Sequence, residues 1–326
     1  MLQQKILALC LVFFAIACQR ADVNAPAPTI APNIAPTNTL ATPTPRANAQ
    51  LTPDSRNAGK VERDVTYCTM DNVALKMDAY YPRVLNNAPA VVYVHGGGWT
   101  QGDKSSGEGA RDISELQTRG YAVFSINYRL APQYKFPAQI QDVKCAIRSL
   151  RANAAQYGLD PNRVGVWGGS AGGHLVALLG TSDARAGFDV GEYAEQSSRV
   201  QAVVDYFGPA DFTNGYIGSN PVTMQRVFGA NLSNASELAA RYSPITYVSQ
   251  DDPPFSILHG DKDEVVPLSQ SQILNDKLKS AGVESSLVVV KNAGHGFAPS
   301  GGAINPSRAE ITRLMADFFD KQLKSK

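Results

Sequence analysis

The sequence predicts an α/β fold, with a mostly parallel central sheet and helices on both faces. Three features point to it. From about residue 60, strand-like and helix-like segments alternate along the chain. The runs PAVVYVHGGG and RVGVWGG are continuously apolar rather than alternating, which suits strands buried on both faces. The segments between such runs are long enough to cross over and return in parallel, so they cover both sides of the sheet.

VERDVTY and ALKMDAYYP read as an opening antiparallel pair, followed by the strands PAVVYVHGGG and YAVFSINYR. FPAQIQDVKCAIRSLRANAAQYG is an amphipathic helix with Ile140, Val143, Ile147 and Leu150 on one stripe, and Gly158 is its stop. RVGVWGG is a strand and AGGHLVALLG the helix after it; QAVVDYFGP and PFSILHGD are strands again. The stretch near 210–252 is loop-rich and less periodic, and it reads as a short insertion above the sheet. SQSQILNDKLKSAG opens on a capping-box pattern, Ser269 and Gln272, and closes at Gly282. SSLVVVKNAGHGF is the last strand with its loop. The final helix is expected to bury Ile311, Leu314, Met315, Phe318 and Phe319 on one face. No internal repeat is visible.

The chain has 326 residues, 44% apolar, and 30 basic against 29 acidic side chains, for a net charge of +1. Such a balance gives no electrostatic reason to expect nucleic acid or a strongly acidic partner. Residues 1–17 read as an export signal: Lys5, the apolar run ILALCLVFFAIA, and the small-x-small site Ala15-Ile16-Ala17. With Cys18 the same residues resemble a bacterial lipoprotein box, in which Cys18 would carry lipid, although Ala15 stands where that box more often has Leu. Residues 18–57, rich in Pro, Ala and Thr, read as a disordered tether, and 58–326 as the folded domain. The protein is therefore expected to be exported, as a membrane-anchored lipoprotein or else secreted or periplasmic. Of the four cysteines, Cys10 falls in the signal and Cys18 is the lipid candidate. Cys68 and Cys145 could pair in an oxidising compartment, but a domain of this size needs no staple, and two partly buried thiols are expected.

The most informative stretch is VGVWGGSAGGHLVALL, where Gly168, Gly169, Gly172 and Gly173 surround Ser170. G-x-S-x-G between a strand and a helix is a sharp turn that exposes a strained serine above the sheet, at a helix N-terminus. Serine is a weak nucleophile without a base, and the chain offers four histidines, His95, His174, His259 and His295. His295 alone follows both the serine and a suitable acid; His174 is expected to pack locally, and His259 is read as a loop residue. HGDKDE supplies the acid, with Asp263 favoured for its depth in the loop and Asp261 next; Asp205 and Asp211 are more often turn or capping residues. VVYVHGGGW ends a strand in glycines, so the N–H groups of Gly97 and Gly98, with that of Ala171, are the candidate oxyanion donors. A glycine-rich phosphate loop is disfavoured because neither G-x-x-x-x-G-K-S/T nor a fitting G-x-G-x-x-G is present.

Together, VVYVHGGGW..GDKSS, NYRLAP..KFPAQIQDVKCAIRSLRANA, YGLDPNRVGVWGGSAGGHLVALL, FSILHGDKDEVVP and NAGHGF resemble the α/β-hydrolase esterase/lipase superfamily over roughly residues 62–323. The nearest branches are the BD-FAE group of bifunctional feruloyl/acetylxylan esterases and the hormone-sensitive-lipase-like esterases. The latter usually carry an acidic residue where this chain has Gly169, which favours the former. The resemblance implies an α/β-hydrolase fold, Ser170 as nucleophile, Asp263 as acid, His295 as base, and the Gly97, Gly98 and Ala171 N–H groups as oxyanion hole. Arg129 and Asp142 recur as motif positions and are read as structural contacts. The implied activity is hydrolysis of carboxylic esters, with short acyl or acetyl and feruloyl esters of plant polysaccharide as substrates and no metal or organic cofactor. Trp99, following the oxyanion glycines, is a candidate substrate contact; Tyr128, Tyr206 and Phe207 lie near strand ends and are weaker ones. The alternatives are a serine peptidase of the prolyl-oligopeptidase type and a non-catalytic binding lipoprotein. The sequence leaves the oligomeric state open.

Overall fold

A computed structural model describes residues 58–214, 216 and 221–324; the expected signal and tether, 1–57, lie outside the described residues. The strands are β1 (Ala58–Met70), β2 (Val73–Pro82), β3 (Ala88–Val94), β4 (Ala122–Ile126), β5 (Leu159–Gly169), β6 (Ala202–Tyr206), β7 (Phe255–Gly260) and β8 (Ser285–Val290). The helices are α1 (Ile113–Thr118), α2 (Ala138–Ala152), α3 (Ala154–Tyr157), α4 (Ala171–Thr181), α5 (Pro221–Phe228), α6 (Ser236–Arg241), α7 (Leu268–Ser280) and α8 (Arg308–Leu323). The strands form one sheet in the order β1-β2-β4-β3-β5-β6-β7-β8. β1 with β2 and β2 with β4 are antiparallel, and the remaining pairs are parallel.

The apolar runs divide alternately between the faces, which is why they read as continuous. Val91, Tyr93, Val123, Trp167, Val204 and Leu258 pack toward α1 and α8. Val92, Val94, Phe124, Val166, Val203 and Ile257 pack toward α2, α4 and α7. The insertion is more helical than expected: α5 and α6 lie within it, and Phe228, Ala239 and Tyr242 bury themselves in the α4 side of the core.

Three local expectations about the helices are corrected. The predicted helix ending at Gly158 breaks at Asn153 into α2 and α3, and Gly158 then closes α3 at φ 64°. The N-cap of α7 is Pro267, with no side-chain cap, so Ser269 and Gln272 form no capping box there. Nearby polar side chains turn inward instead: Gln270 Oε1 accepts from the N–H groups of Ala210 and Asp211, each at 2.8 Å, tying the insertion to α7. A complete capping box, Ser307 with Glu310, opens α8. On α8 the buried stripe is Ile311, Met315, Phe319 and Leu323, while Leu314 is exposed, because a spacing of four follows the sheet surface more closely than three does.

Cys68 and Cys145 form a disulfide and are fully buried, contrary to the expectation of free, partly buried thiols. The bond ties edge strand β1 to α2 across 77 residues of sequence. Closing a loop of that length restricts the unfolded chain, with a typical stabilisation of about 2–4 kcal/mol. Replacing both cysteines by serine is expected to lower stability by about that amount. Thermal denaturation should show a lower midpoint, and reductant should reproduce the shift in the parent protein.

Candidate active site

The candidate residues converge at the carboxyl end of the parallel strands, where open α/β sheets place ligands. Ser170 follows β5 and is the N-cap of α4, with φ 58° and ψ −119°. The sequence allows this turn because its flanking positions carry no side chain. A Cβ on Gly168 would lie 2.6 Å from the Gly172 carbonyl carbon, and one on Gly172 only 2.1 Å from the Val94 oxygen. Backbone bonds fix the turn: Ser170 N–H donates to the Tyr206 carbonyl at 2.9 Å, and His174 N–H donates to the Ser170 carbonyl at 2.9 Å.

His295 follows β8 and Asp263 follows β7, and the two loops are stitched together by Lys262 N–H on the Ala293 carbonyl at 2.9 Å. His295 Nε2 lies 3.0 Å from Ser170 Oγ, and His295 Nδ1 lies 2.7 Å from Asp263 Oδ2. The Asp263 side chain is fully buried, whereas His295 is 26% exposed. Asp263 Oδ1 accepts from the N–H groups of Val265 and Val266, both at 2.9 Å. Burial works against the Asp263 charge, but hydrogen bonds from His259 and His295, the His295 charge and the Val266 N–H hold its carboxyl well below the usual range. An ionised carboxylate can only accept, so the proton sits on Nδ1 and leaves Nε2 free to take the serine's proton.

The H-G-G-G loop after β3 runs alongside this turn: a Cβ on Gly96 would lie 2.8 Å from the Gly169 oxygen and 3.5 Å from Ser170 Cβ. Within the described residues the N–H groups of Gly97, Gly98 and Ala171 donate no hydrogen bond, which leaves them open to an incoming oxygen. Tyr128 Oη donates to the His95 carbonyl at 3.0 Å, and the His95 ring stacks on Tyr128 and bonds Gly96 O through Nδ1 at 2.7 Å.

The other candidates take different places. Trp99 is buried, its ring packed against His174, Phe212 and Phe228, and its Nε1 donates to His174 Nδ1 at 3.3 Å. Tyr128, Tyr206 and Phe207 are buried as well. His174 completes its pairing through Nε2, which donates to the Tyr242 carbonyl at 2.8 Å. His259, read as a loop residue, ends β7 and is fully buried between Ser271 Oγ at 2.7 Å and the Val266 carbonyl at 2.8 Å, with Asp263 Oδ2 at 3.5 Å. Nothing local in the sequence announces this brace, since Ser271 arrives from α7. Asp261 points away toward Lys291, 3.7 Å distant. Asp211 accepts from the N–H and hydroxyl of Thr213. Arg129 and Asp142 form a buried two-pronged ion pair, at 2.7 and 2.9 Å.

Asp205 is fully buried; its Oδ1 accepts from Gly208 N–H at 2.9 Å, and its Oδ2 has no partner among the described residues. Burial raises its carboxyl to about 6, against the Gly208 N–H and His259, which lower it. A carboxyl raised on folding binds protons more tightly in the folded state, so it stabilises below the unfolded value and loses that contribution as pH climbs through about 6. Asp205→Asn keeps the shape without the charge. It is expected to raise stability by about 1–3 kcal/mol at pH 7.5, an advantage that vanishes near pH 4. Urea unfolding at the two pH values checks this, and equal gains at both would refute it.

The chain matches the BD-FAE family model over residues 77–278, a span that holds Ser170 and Asp263 and stops before His295. It is 36% identical to Esterase LipQ of Mycobacterium tuberculosis over 214 residues, 64% of this chain and 50% of that protein. It is 34% identical to Probable carboxylic ester hydrolase LipM of the same organism over 200 residues, 59% of this chain and 45% of that one. The chain thus spans about half the length of the curated relatives it matches. Among solved structures, a truncated form of a carbohydrate esterase from gut microbiota superposes with a TM-score of 0.71 at 31% identity, covering 84% of this chain and 99% of that one. Esterase Est2 of Thermogutta terrifontis gives a TM-score of 0.67 at 26% identity, covering 82% and 94%. Strand order, the turn at Ser170 and these likenesses agree on an α/β-hydrolase fold, and the chain belongs to the BD-FAE family.

Proposed function

We propose that this protein is a serine carboxylic ester hydrolase with Ser170 as nucleophile, His295 as base and Asp263 as orienting acid. The observation that carries the reading is the unbroken line of hydrogen bonds from Asp263 Oδ2 through both nitrogens of His295 to Ser170 Oγ. His295 Nε2 takes the hydroxyl proton as Oγ adds to the ester carbonyl. The new oxyanion is met by the N–H groups of Gly97, Gly98 and Ala171, each such donor typically contributing about 3–4 kcal/mol to barrier lowering. His295 then passes its proton to the departing alcohol, leaving an acyl-serine. A water molecule, deprotonated by the same nitrogen, adds to that acyl carbon, and the acid leaves as Oγ recovers its proton.

Short acyl esters, and acetyl or feruloyl groups on plant polysaccharide in particular, are the proposed substrates. Membership of the BD-FAE family and the likeness to a carbohydrate esterase support that class. The Cys68–Cys145 bond supports export, since such bonds persist in oxidising compartments. We retain Cys18 as the proposed lipid site, which intact-mass analysis of the membrane fraction would test.

Turnover of p-nitrophenyl acetate, with none of a dipeptide amide, is the expected outcome; amide turnover would favour a peptidase and silence on both a binding protein. Paraoxon should inactivate the enzyme with one equivalent bound, as Oγ displaces p-nitrophenolate from phosphorus. Esterase 2 of T. terrifontis is known in a form phosphorylated by paraoxon. Peptide mass spectrometry should place the diethylphosphoryl group on Ser170, and labelling elsewhere would refute the assignment.

A further inference from the structure

Phe207 follows β6 with φ 44°, in the left-handed region, where a bulky side chain is strained. Two bonds hold the turn: Phe207 N–H donates to the Leu258 carbonyl and Gly208 N–H to Asp205 Oδ1, both at 2.9 Å. The conformation drives the ring into the space behind the reacting groups, where it is 2% exposed. Its centroid lies 4.8 Å from that of the His295 imidazole, at 63°, and 4.8 Å from that of Phe297, at 78°. On its other side is Gly169. A Cβ there would lie 3.2 Å from Phe207 Cζ and 3.3 Å from Cε2, with Tyr206 Cβ next at an ordinary 3.7 Å. The backbone at Gly169 is not left-handed, so space rather than conformation keeps a side chain out.

We infer that Phe207 is the positioning residue that sets the reach of His295 to Ser170, and that Gly169 is a glycine because this ring fills its side-chain space. The inference rests on the Ser170–His295 reading above. The hydrogen bond to Asp263 fixes one edge of the imidazole, and a quarter of its side-chain surface faces water. The Phe207 ring bounds its inner side. Because the same ring abuts the residue before Ser170, one rigid body gauges both partners of the proton transfer. Misplacement by about 1 Å costs on the order of a hundredfold in rate.

A four-protein cycle tests this: parent, Phe207→Leu, Gly169→Ala and the double variant, assayed on p-nitrophenyl acetate well below each melting midpoint. Leucine has no atom where Cζ and Cε2 stand. Each single change is expected to lower kcat about tenfold with KM nearly constant, one by leaving a gap and the other by pushing the ring. The double variant should also lose only about tenfold, since the new methyl enters the vacated space. A loss equal to the product of the two singles overturns the inference. So does a lower melting midpoint with unchanged kcat, which would mark a structural role only, or a rise confined to KM, which would mark a substrate wall. If Phe207→Leu does not fold, Phe207→Ala, which likewise has no atom at those positions, carries the same cycle. Ser170→Ala is assayed alongside: retained turnover there refutes the triad, whereas its loss combined with an additive cycle refutes the role of Phe207 alone.

Discussion

Ser170→Ala is expected to lower kcat/KM for p-nitrophenyl acetate by about 10^5- to 10^6-fold while leaving the melting midpoint nearly unchanged. The two halves of that expectation have different causes. Chemistry is lost because Oγ is the only atom at this turn that can carry the acyl group, and the remaining donors accelerate water attack only weakly. Stability is kept because everything that builds the turn is backbone. Ser170 N–H still reaches the Tyr206 carbonyl, His174 N–H still reaches the Ser170 carbonyl, and Gly168 and Gly172 still admit the close packing. Among the described residues the hydroxyl's one side-chain partner is His295 Nε2, at 3.0 Å and open to water, so the imidazole left behind is hydrated rather than stranded. Alanine at φ 58° inherits the strain of serine, and relief cannot mask a loss. Initial rates at high enzyme concentration, beside thermal denaturation, check both halves. Residual turnover above about one per cent would remove Ser170 from the chemistry.

The convergence of Ser170, Asp263 and His295 was legible because each lies on a short loop directly after an apolar run. A parallel sheet brings all such loops to one end, and few acids and histidines competed for the places. What escaped reading depends on partners distant in sequence. The Cys68–Cys145 bond needed β1 laid against α2, a juxtaposition that composition does not encode. Ser269 and Gln272 have the right spacing for a capping box, but the chain enters α7 through Pro267, and the neighbouring Gln270 and Ser271 are drawn inward by Ala210, Asp211 and His259. Trp99 follows the oxyanion glycines, yet its own φ of 58° turns the ring into an aromatic cluster partly built by the insertion. Phe207 read as a weaker candidate for substrate contact at a strand end; its backbone conformation and ring placement show that it reaches the imidazole instead.

Asp263→Asn should fold normally and lose about 10^4-fold in kcat, because the hydrogen bonds already on Asp263 dictate which way an amide must face. Oδ1 accepts from the N–H groups of Val265 and Val266, and an amide nitrogen cannot replace an acceptor there. The asparagine oxygen therefore takes that position, and its NH2 group is directed at His295 Nδ1, where Oδ2 stood at 2.7 Å. An amide nitrogen can only donate, so His295 must present a lone pair on Nδ1 and carry its proton on Nε2. The nitrogen facing Ser170 then has nothing with which to accept the hydroxyl proton, although every heavy atom is in place. Asp263→Ala contrasts in stability: it leaves the Val265 and Val266 N–H groups without their acceptor, at a cost of about 1–3 kcal/mol. If Asp263→Asn retained more than about a tenth of the parental kcat, the tautomer argument would fail. His295 would then be oriented by its loop alone, and Asp263 would be no more than the staple that folds residues 263–266 beneath it.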